Sequence, residues 1–183
     1  LLSKRLKELE WHGILNRVES PKVSRKSMYV LTQAGSELFD VINAIGSWGK
    51  RWIDMRHNLD SAKENLLIWD IRRNLCMKYF PVNKAVLQIN ITDAPKKTSN
   101  WWFIFDGKER PDVGYLDPSL DVDLYIETSL SSLTKIWLGE STHSTENKAG
   151  NFQIEGSQKM IDTFESWFGS SNFASIQKFA MAS

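Results

Sequence analysis

Leu1-Leu2-Ser3-Lys4-Arg5-Leu6-Lys7-Glu8-Leu9-Glu10, followed by Trp11-His12-Gly13-Ile14-Leu15, decides how this chain is read. Leu2, Leu6 and Leu9 recur at helical spacing and are expected to face a core, while Ser3, Lys4, Lys7 and Trp11 point away from it, toward solvent or phosphate. Gly13 suits the left-handed residue that ends a helix, and Ile14-Leu15-Asn16-Arg17-Val18 resumes as an extended pattern. Pro21 opens a polar turn through Lys22, Ser24, Arg25, Lys26 and Ser27, after which Met28-Tyr29-Val30-Leu31 pairs back antiparallel. Thr32 caps a helix from Gln33 in which Leu38, Val41, Ile42, Ile45 and Trp48 return to one side, an arrangement expected to bury a long stripe.

Helix, glycine stop, basic hairpin and capped helix follow one another in the order of the back half of a winged helix. That order puts cations on a helix and on a wing that enter DNA grooves together. Ser3, Lys4, Arg5 and Lys7 on the helix, with Lys22, Ser24, Arg25 and Lys26 on the wing, are therefore the candidate DNA-binding residues. Residues 1–31 hold seven Lys/Arg against three Asp/Glu, a local excess that a polyanion would feel.

The Leu-Ser-x-x-Leu-x-x-Leu-Glu helix with its Gly-Ile-Leu sequel, in residues 2–15, and the Tyr-Val-Leu-Thr-x-x-Gly-x-x-Leu step, in residues 29–38, resemble the HxlR type of winged-helix transcriptional regulator. The resemblance implies a homodimer on a two-fold site in double-stranded DNA, with residues 2–10 as recognition helix and residues 22–27 as wing. The family's earlier helices, one of which supports the recognition helix and contributes to dimerisation, would lie before Leu1. Because Leu1 is not a natural initiator and its helix starts without a visible cap, the chain is expected to be a fragment.

Composition separates two halves. Residues 1–79 carry fourteen Lys/Arg against nine Asp/Glu and residues 80–183 nine against thirteen, a contrast concealed by the total of +1. A length of 183 residues allows one large or two small domains, and 42% hydrophobic residues with eight Trp suffice for real cores, so the chain is not disordered. No apolar run reaches the roughly 18 residues of a membrane span, and no secretory signal is visible. A soluble, cytoplasmic protein without a membrane partner is the expectation. Gly46-Ser47-Trp48-Gly49 and Arg56-His57-Asn58-Leu59-Asp60 punctuate the helical pattern and suggest a compact boundary between a domain of residues 1–58 and one of residues 59–183. Cys76 is alone, which excludes an internal disulfide or thiolate cluster and reads as a buried small residue rather than a redox sensor.

In the second half Ser61 and Glu64 fit a capping box, and Leu66, Leu67, Trp69, Ile71, Leu75 and Cys76 continue as a helix until Pro81, with Arg72-Arg73 solvated. The period then changes to two. Leu87, Ile89 and Ile91 share one side of a strand, and Asn100-Trp101-Trp102-Phe103-Ile104-Phe105 is apolar on both sides. Asp106-Gly107 turns the chain into a strand over residues 112–116, and Val122, Leu124 and Ile126 mark another, for a sheet of four or more strands. Ser129 caps a helix with Leu130, Leu133, Ile136 and Trp137 on one side, ended by Gly139. A loop or short helix over residues 140–148, a short strand over residues 150–156 and a single helix over residues 157–168 complete the pattern.

Four stretches resemble the sterol-carrier-protein-like domain: Trp-Trp-Phe-x-Phe-Asp-Gly at residues 101–107, Asp-x-Asp-Leu-x-Ile-x-Thr at 121–128, Leu-x-x-x-Trp-x-Gly at 133–139 and Gly-x-Phe-x-Ile-x-Gly at 150–156. The resemblance spans roughly residues 70–168 and implies a twisted sheet covered by helices with an apolar cavity between them. Trp101, Phe103, Phe105 and Trp137 are the candidate lining for a small apolar ligand, against the plainer reading that they fill the core. The overall expectation is an α+β chain: a partial winged helix-turn-helix followed by a sterol-carrier-like mixed sheet covered by helices.

His12, His57 and His143 are isolated in sequence, and no nucleophile, metalloprotease or phosphate-loop motif is present, so neither an enzyme nor a cofactor is expected. Asp121 and Asp123 share a strand side that suits a solvated surface better than a cation, and His143 is expected at the surface. Three functions compete: a regulator responsive to an apolar effector, a regulator whose second domain only supports oligomerisation, and a lipid carrier with winged-helix remnants.

Overall fold

The computed structural model describes residues 1–19, 27–53 and 64–177. The described residues form two compact units, one of residues 1–53 and one of residues 64–177. The boundary expected after residue 58, the Ser61 cap and most of the wing lie outside the described residues.

The N-terminal unit contains α1 (Leu2–Trp11), β1 (Leu15–Glu19), β2 (Ser27–Leu31) and α2 (Gln33–Trp52). Gly13, at φ +71°, ends α1. The Ile14 N–H donates to the Leu9 carbonyl and the Gly13 N–H to the Glu10 carbonyl, the paired bonds of a Schellman stop. β1 and β2 pair antiparallel, from Leu15 opposite Leu31 to Glu19 opposite Ser27. Thr32 locks the junction. Its hydroxyl accepts from the Gly35 N–H at 3.0 Å and donates to the Gly13 carbonyl at 2.6 Å, so one side chain caps α2 and holds the end of α1.

Three expectations are corrected here. Leu2 and Leu9 are exposed and Leu6 only half-buried, and the α2 stripe of Leu38, Val41, Ile42, Ile45 and Trp48 is exposed rather than buried. Periodicity records which side of a helix is apolar, not what covers it. Nor does α2 pause at Gly46 or Gly49. A helical glycine costs only about 0.5–1 kcal/mol relative to alanine, and α2 continues to Trp52, with the Ser47 hydroxyl donating to the Asn43 carbonyl at 2.7 Å.

The C-terminal unit runs α3 (Glu64–Asn74), a 3-10 turn (Met77–Tyr79), β3 (Ala85–Ile91), β4 (Asn100–Phe105), β5 (Asp112–Gly114), β6 (Leu124–Thr128), α4 (Leu130–Trp137), α5 (His143–Lys148), β7 (Phe152–Gly156), α6 (Gln158–Asp162) and α7 (Phe164–Phe168). Its sheet has the order β5-β4-β3-β6-β7, with β3 and β6 parallel and the other pairs antiparallel. The fold is therefore α+β with a mixed sheet. Leu87, Ile89 and Ile91 of β3 share their side with Trp101, Phe103 and Phe105 of β4 and Leu124 and Ile126 of β6, and the apolar residues of α3, α4, α6 and α7 join them in one core. The opposite side carries an amide ladder, in which Gln88 and Asn90 each donate to the Asn100 side chain at 3.0 Å.

The helices of this unit differ from expectation in three places. α3 stops at Asn74, well before Pro81, because the Asn74 amide turns back to Asp70 and the Cys76 N–H leaves the helix to bond the Trp167 carbonyl at 2.8 Å. Cys76 is half-buried rather than buried. The single helix expected over residues 157–168 breaks at Thr163 into α6 and α7, and the Trp167 indole N–H donates across the break to the Met160 carbonyl at 3.0 Å. His143 is half-buried, not at the surface. Its Nδ1 lies 3.0 Å from a Glu165 carboxylate oxygen and its ring abuts Phe152 and Phe164.

Glu146 on α5 is the one acidic side chain among the described residues that is buried, at 7% exposure. It accepts from the Ser132 hydroxyl at 2.8 Å and the Asn151 amide at 3.3 Å, tying α5 to α4 and to the start of β7. Hydrogen bonding from Ser141 first, then from Ser132 and Asn151, holds its carboxyl below the ordinary glutamate value despite the opposing effect of burial. A carboxylate held low stabilises the fold above its unfolded pKa, and that contribution is lost as pH falls through the folded value. Glu146→Gln is expected to lower stability by about 1–3 kcal/mol at neutral pH. Its difference from the parent should shrink in denaturant titrations below about pH 4.

Candidate nucleic-acid interface

On α1 the outer side is built by Ser3, Lys4, Lys7, Glu8 and Trp11, all exposed except the half-buried Glu8. Lys4 and Lys7 are one turn apart and so present two ammonium groups along one side of the helix. Among the described residues neither has a carboxylate partner. Arg5 differs: its guanidinium donates to Glu8 at 2.8 Å, an exposed pair that dilutes its charge toward a polyanion. An open concavity of about 580 Å³ runs along this side, lined by Ser3, Lys4, Lys7, Glu8, Trp11 and His12.

Ser3, Lys4, Arg5 and Lys7 thus lie together on one exposed helix. Lys22, Ser24, Arg25 and Lys26 fall outside the described residues. The base of the wing is described, and it supplies a cation that motif reading passed over. Arg17 on β1 is exposed, and its Nε donates to the Ser27 hydroxyl on β2 at 2.8 Å, which fixes the guanidinium beside the hairpin. Its signal was available in sequence as an arginine among the alternating residues 14–18.

The second candidate set is not at a surface. Trp101, Phe103, Phe105 and Trp137 are all buried in the core of the C-terminal unit. Their polar atoms are satisfied internally: the Trp101 indole donates to the Thr98 carbonyl at 2.9 Å and the Trp137 indole to the Asp70 carboxylate at 2.7 Å. Phe105 is stacked under the half-buried Phe80 with centroids 4.0 Å apart, and Trp167 meets Phe80 edge-on at 5.2 Å. Asp121 and Asp123 do not form a cation site. Both precede β6, and the Asp123 carboxylate accepts from the Val86 N–H at 2.8 Å, fastening the entry of β6 to β3. Among the described residues no group of three or more His, Cys, Asp or Glu is placed to hold a metal ion, and no helix is long and apolar enough to cross a membrane.

The described part of residues 1–53 thus sets out, in order, an exposed basic helix, a glycine stop, an antiparallel strand pair and a capped helix. Residues 1–57 match the family of HxlR-like helix-turn-helix proteins. The uncharacterized HTH-type transcriptional regulator YvaP of Bacillus subtilis (strain 168) is 39% identical over 54 residues, 30% of this chain and 50% of that protein. The chain spans half or less of the length of the curated relatives it matches. Among solved structures, the UbiJ-SCP2 ubiquinone synthesis protein is similar over 57% of this chain and 84% of its own, with a TM-score of 0.42 and 17% identity. The palmitated SCP2L2 of Aedes aegypti is similar over 61% of this chain and 99% of its own, with a TM-score of 0.45 and 15% identity.

Proposed function

We propose that the chain acts as a DNA-binding transcriptional regulator of HxlR type. α1 is the recognition helix, the hairpin after β1 is the wing, and the C-terminal unit takes a small apolar effector. The observation that carries the DNA reading is the exposed Lys4 and Lys7 pair on one side of α1, free of carboxylate partners among the described residues, in a segment that matches helix-turn-helix regulators. Each phosphate neutralised releases counterions, so affinity for duplex falls with salt in proportion to the contacts made. Lys4→Ala and Lys7→Ala, and Arg25→Ala on the wing, are each expected to weaken binding of the complete protein to duplex. Each should reduce the slope of log affinity against log salt by roughly one unit. Unchanged slopes would remove the assignment.

A homodimer belongs to the same proposal. The exposed Val41, Ile42, Ile45 and Trp48 along α2 form an apolar side of the kind that a second subunit covers. The effector reading is supported by a core that is aromatic and uncharged at Phe80, Phe105 and Trp167, where Phe80 is half-buried and outside any regular element. In this reading the effector exchanges with the Phe80 ring. A long-chain fatty acid used as probe should then raise the unfolding temperature of the parent. No shift would favour the alternative in which the unit is a filled support for oligomerisation, and lipid uptake without any duplex binding would favour a carrier.

A further inference from the structure

Trp11 closes α1 with 83% of its surface exposed. It lies four residues beyond Lys7 and seven beyond Lys4, so its indole projects from the same side of the helix, about one turn beyond Lys7. Leu2, Leu6 and Leu9 occupy the other side, and Trp11 is therefore not a continuation of that apolar stripe. Its one ring neighbour among the described residues is His12, at 4.8 Å with the two ring planes nearly perpendicular, and most of the indole surface stays exposed. A large flat apolar group in line with two cations matches a surface that is itself apolar beside anions. In duplex DNA that surface is the groove wall, where deoxyribose carbons and thymine methyl groups lie between the phosphates.

We propose that Trp11 is a duplex-binding residue, making a nonionic contact to the groove wall beside the phosphate that Lys7 neutralises. The inference rests on the DNA reading above and, where the contact is to a thymine methyl, adds sequence specificity to it, since that methyl is a base feature and a phosphate is not. An apolar contact releases no counterions, and that separates it from its lysine neighbours.

The test uses the complete protein with a duplex of alternating A·T pairs and the same duplex carrying deoxyuridine in place of thymidine. Trp11→Ala is expected to weaken binding to the first on the order of tenfold at every salt concentration and to leave the salt slope unchanged, whereas Lys7→Ala lowers the slope. Trp11→Phe should recover part of the loss, and the helical circular dichroism of both variants should equal that of the parent. If the contact is to methyl groups, the parent binds the deoxyuridine duplex more weakly and Trp11→Ala shows no further loss there. If it is to sugar carbons, Trp11→Ala loses equally on both. Unchanged affinity in Trp11→Ala, or a loss that comes with a lower salt slope, overturns the role of Trp11 while leaving the DNA reading standing. A parent that shows no salt-dependent duplex binding overturns both.

Discussion

Gly35→Val is expected to lower the stability of the N-terminal unit by about 2–3 kcal/mol and to remove duplex binding with it, at the overpacking end of core substitutions. A Cβ at residue 35 would sit 2.2 Å from the Ile14 carbonyl oxygen and 3.2 Å from its carbon, with a Leu31 methyl 3.0 Å away. The obstacle is backbone, and it is not free to yield. That carbonyl accepts from the Thr32 N–H at 3.1 Å and the Thr32 hydroxyl at 3.2 Å, while the same hydroxyl holds Gly13 at the end of α1. Moving Ile14 therefore disturbs the stop of α1, the base of the hairpin and the cap of α2 together. Alanine at a helical glycine ordinarily gains up to about 1 kcal/mol, so Gly35→Ala tests the sign. Here the clash should outweigh the gain, leaving a net loss, and valine adds its β-branch to the same collision. Denaturant unfolding of both variants checks this, and a stabilised Gly35→Ala would mean that α2 does not approach Ile14 so closely.

The resemblance to HxlR regulators already contained that glycine, three residues after Thr32, but not the reason for it. Local signals were legible wherever a single residue enforces geometry. Gly13 stops α1, Thr32 caps α2, Ser129 caps α4, and the period-two residues of β3 and β4, with Leu124 and Ile126 of β6, point as their alternation requires, whereas Val122 is exposed ahead of β6. What depends on covering surfaces was not legible. Leu2 and the α2 stripe are apolar in the right places yet exposed, because spacing alone does not supply the neighbour that would bury them. Breaks created by tertiary bonds were missed for a related reason: the end of α3 is set by Asn74 and by Trp167, nearly a hundred residues away. At the candidate site, sequence reading found the lysines through charge. It placed Trp11 on the solvent side of the helix but passed it over as a contact, because an indole outside a core has no motif.

Trp137→Ala is expected to be the most damaging single change in the C-terminal unit, costing about 3–5 kcal/mol as a deletion of a buried tryptophan. The indole is 1% exposed and meets Phe168 edge-on at 5.8 Å. Its N–H donates to the Asp70 carboxylate on α3 at 2.7 Å, and its own carbonyl accepts from the Ser171 N–H at 2.8 Å, so one residue joins α3, α4 and the chain beyond α7. Alanine keeps the carbonyl bond but opens a cavity and strips the carboxylate of a charge-assisted donor, and the two losses act in the same direction. Trp137→Phe separates them. It retains most of the ring and lacks the N–H, so a cost of about 1.5–3 kcal/mol is expected from the hydrogen bond. Indole added to Trp137→Ala should raise its unfolding temperature with concentration, because a dry apolar cavity binds a matching aromatic and binding to the folded state shifts the equilibrium by mass action. A loss under about 1 kcal/mol in Trp137→Ala, or an equal response of parent and variant to indole, would show that space beside α4 is already open in the parent. That outcome would move the aromatic core from a filled interior to a standing pocket and strengthen the effector reading, whereas selective rescue of the variant would mean that an effector has to displace a side chain to enter.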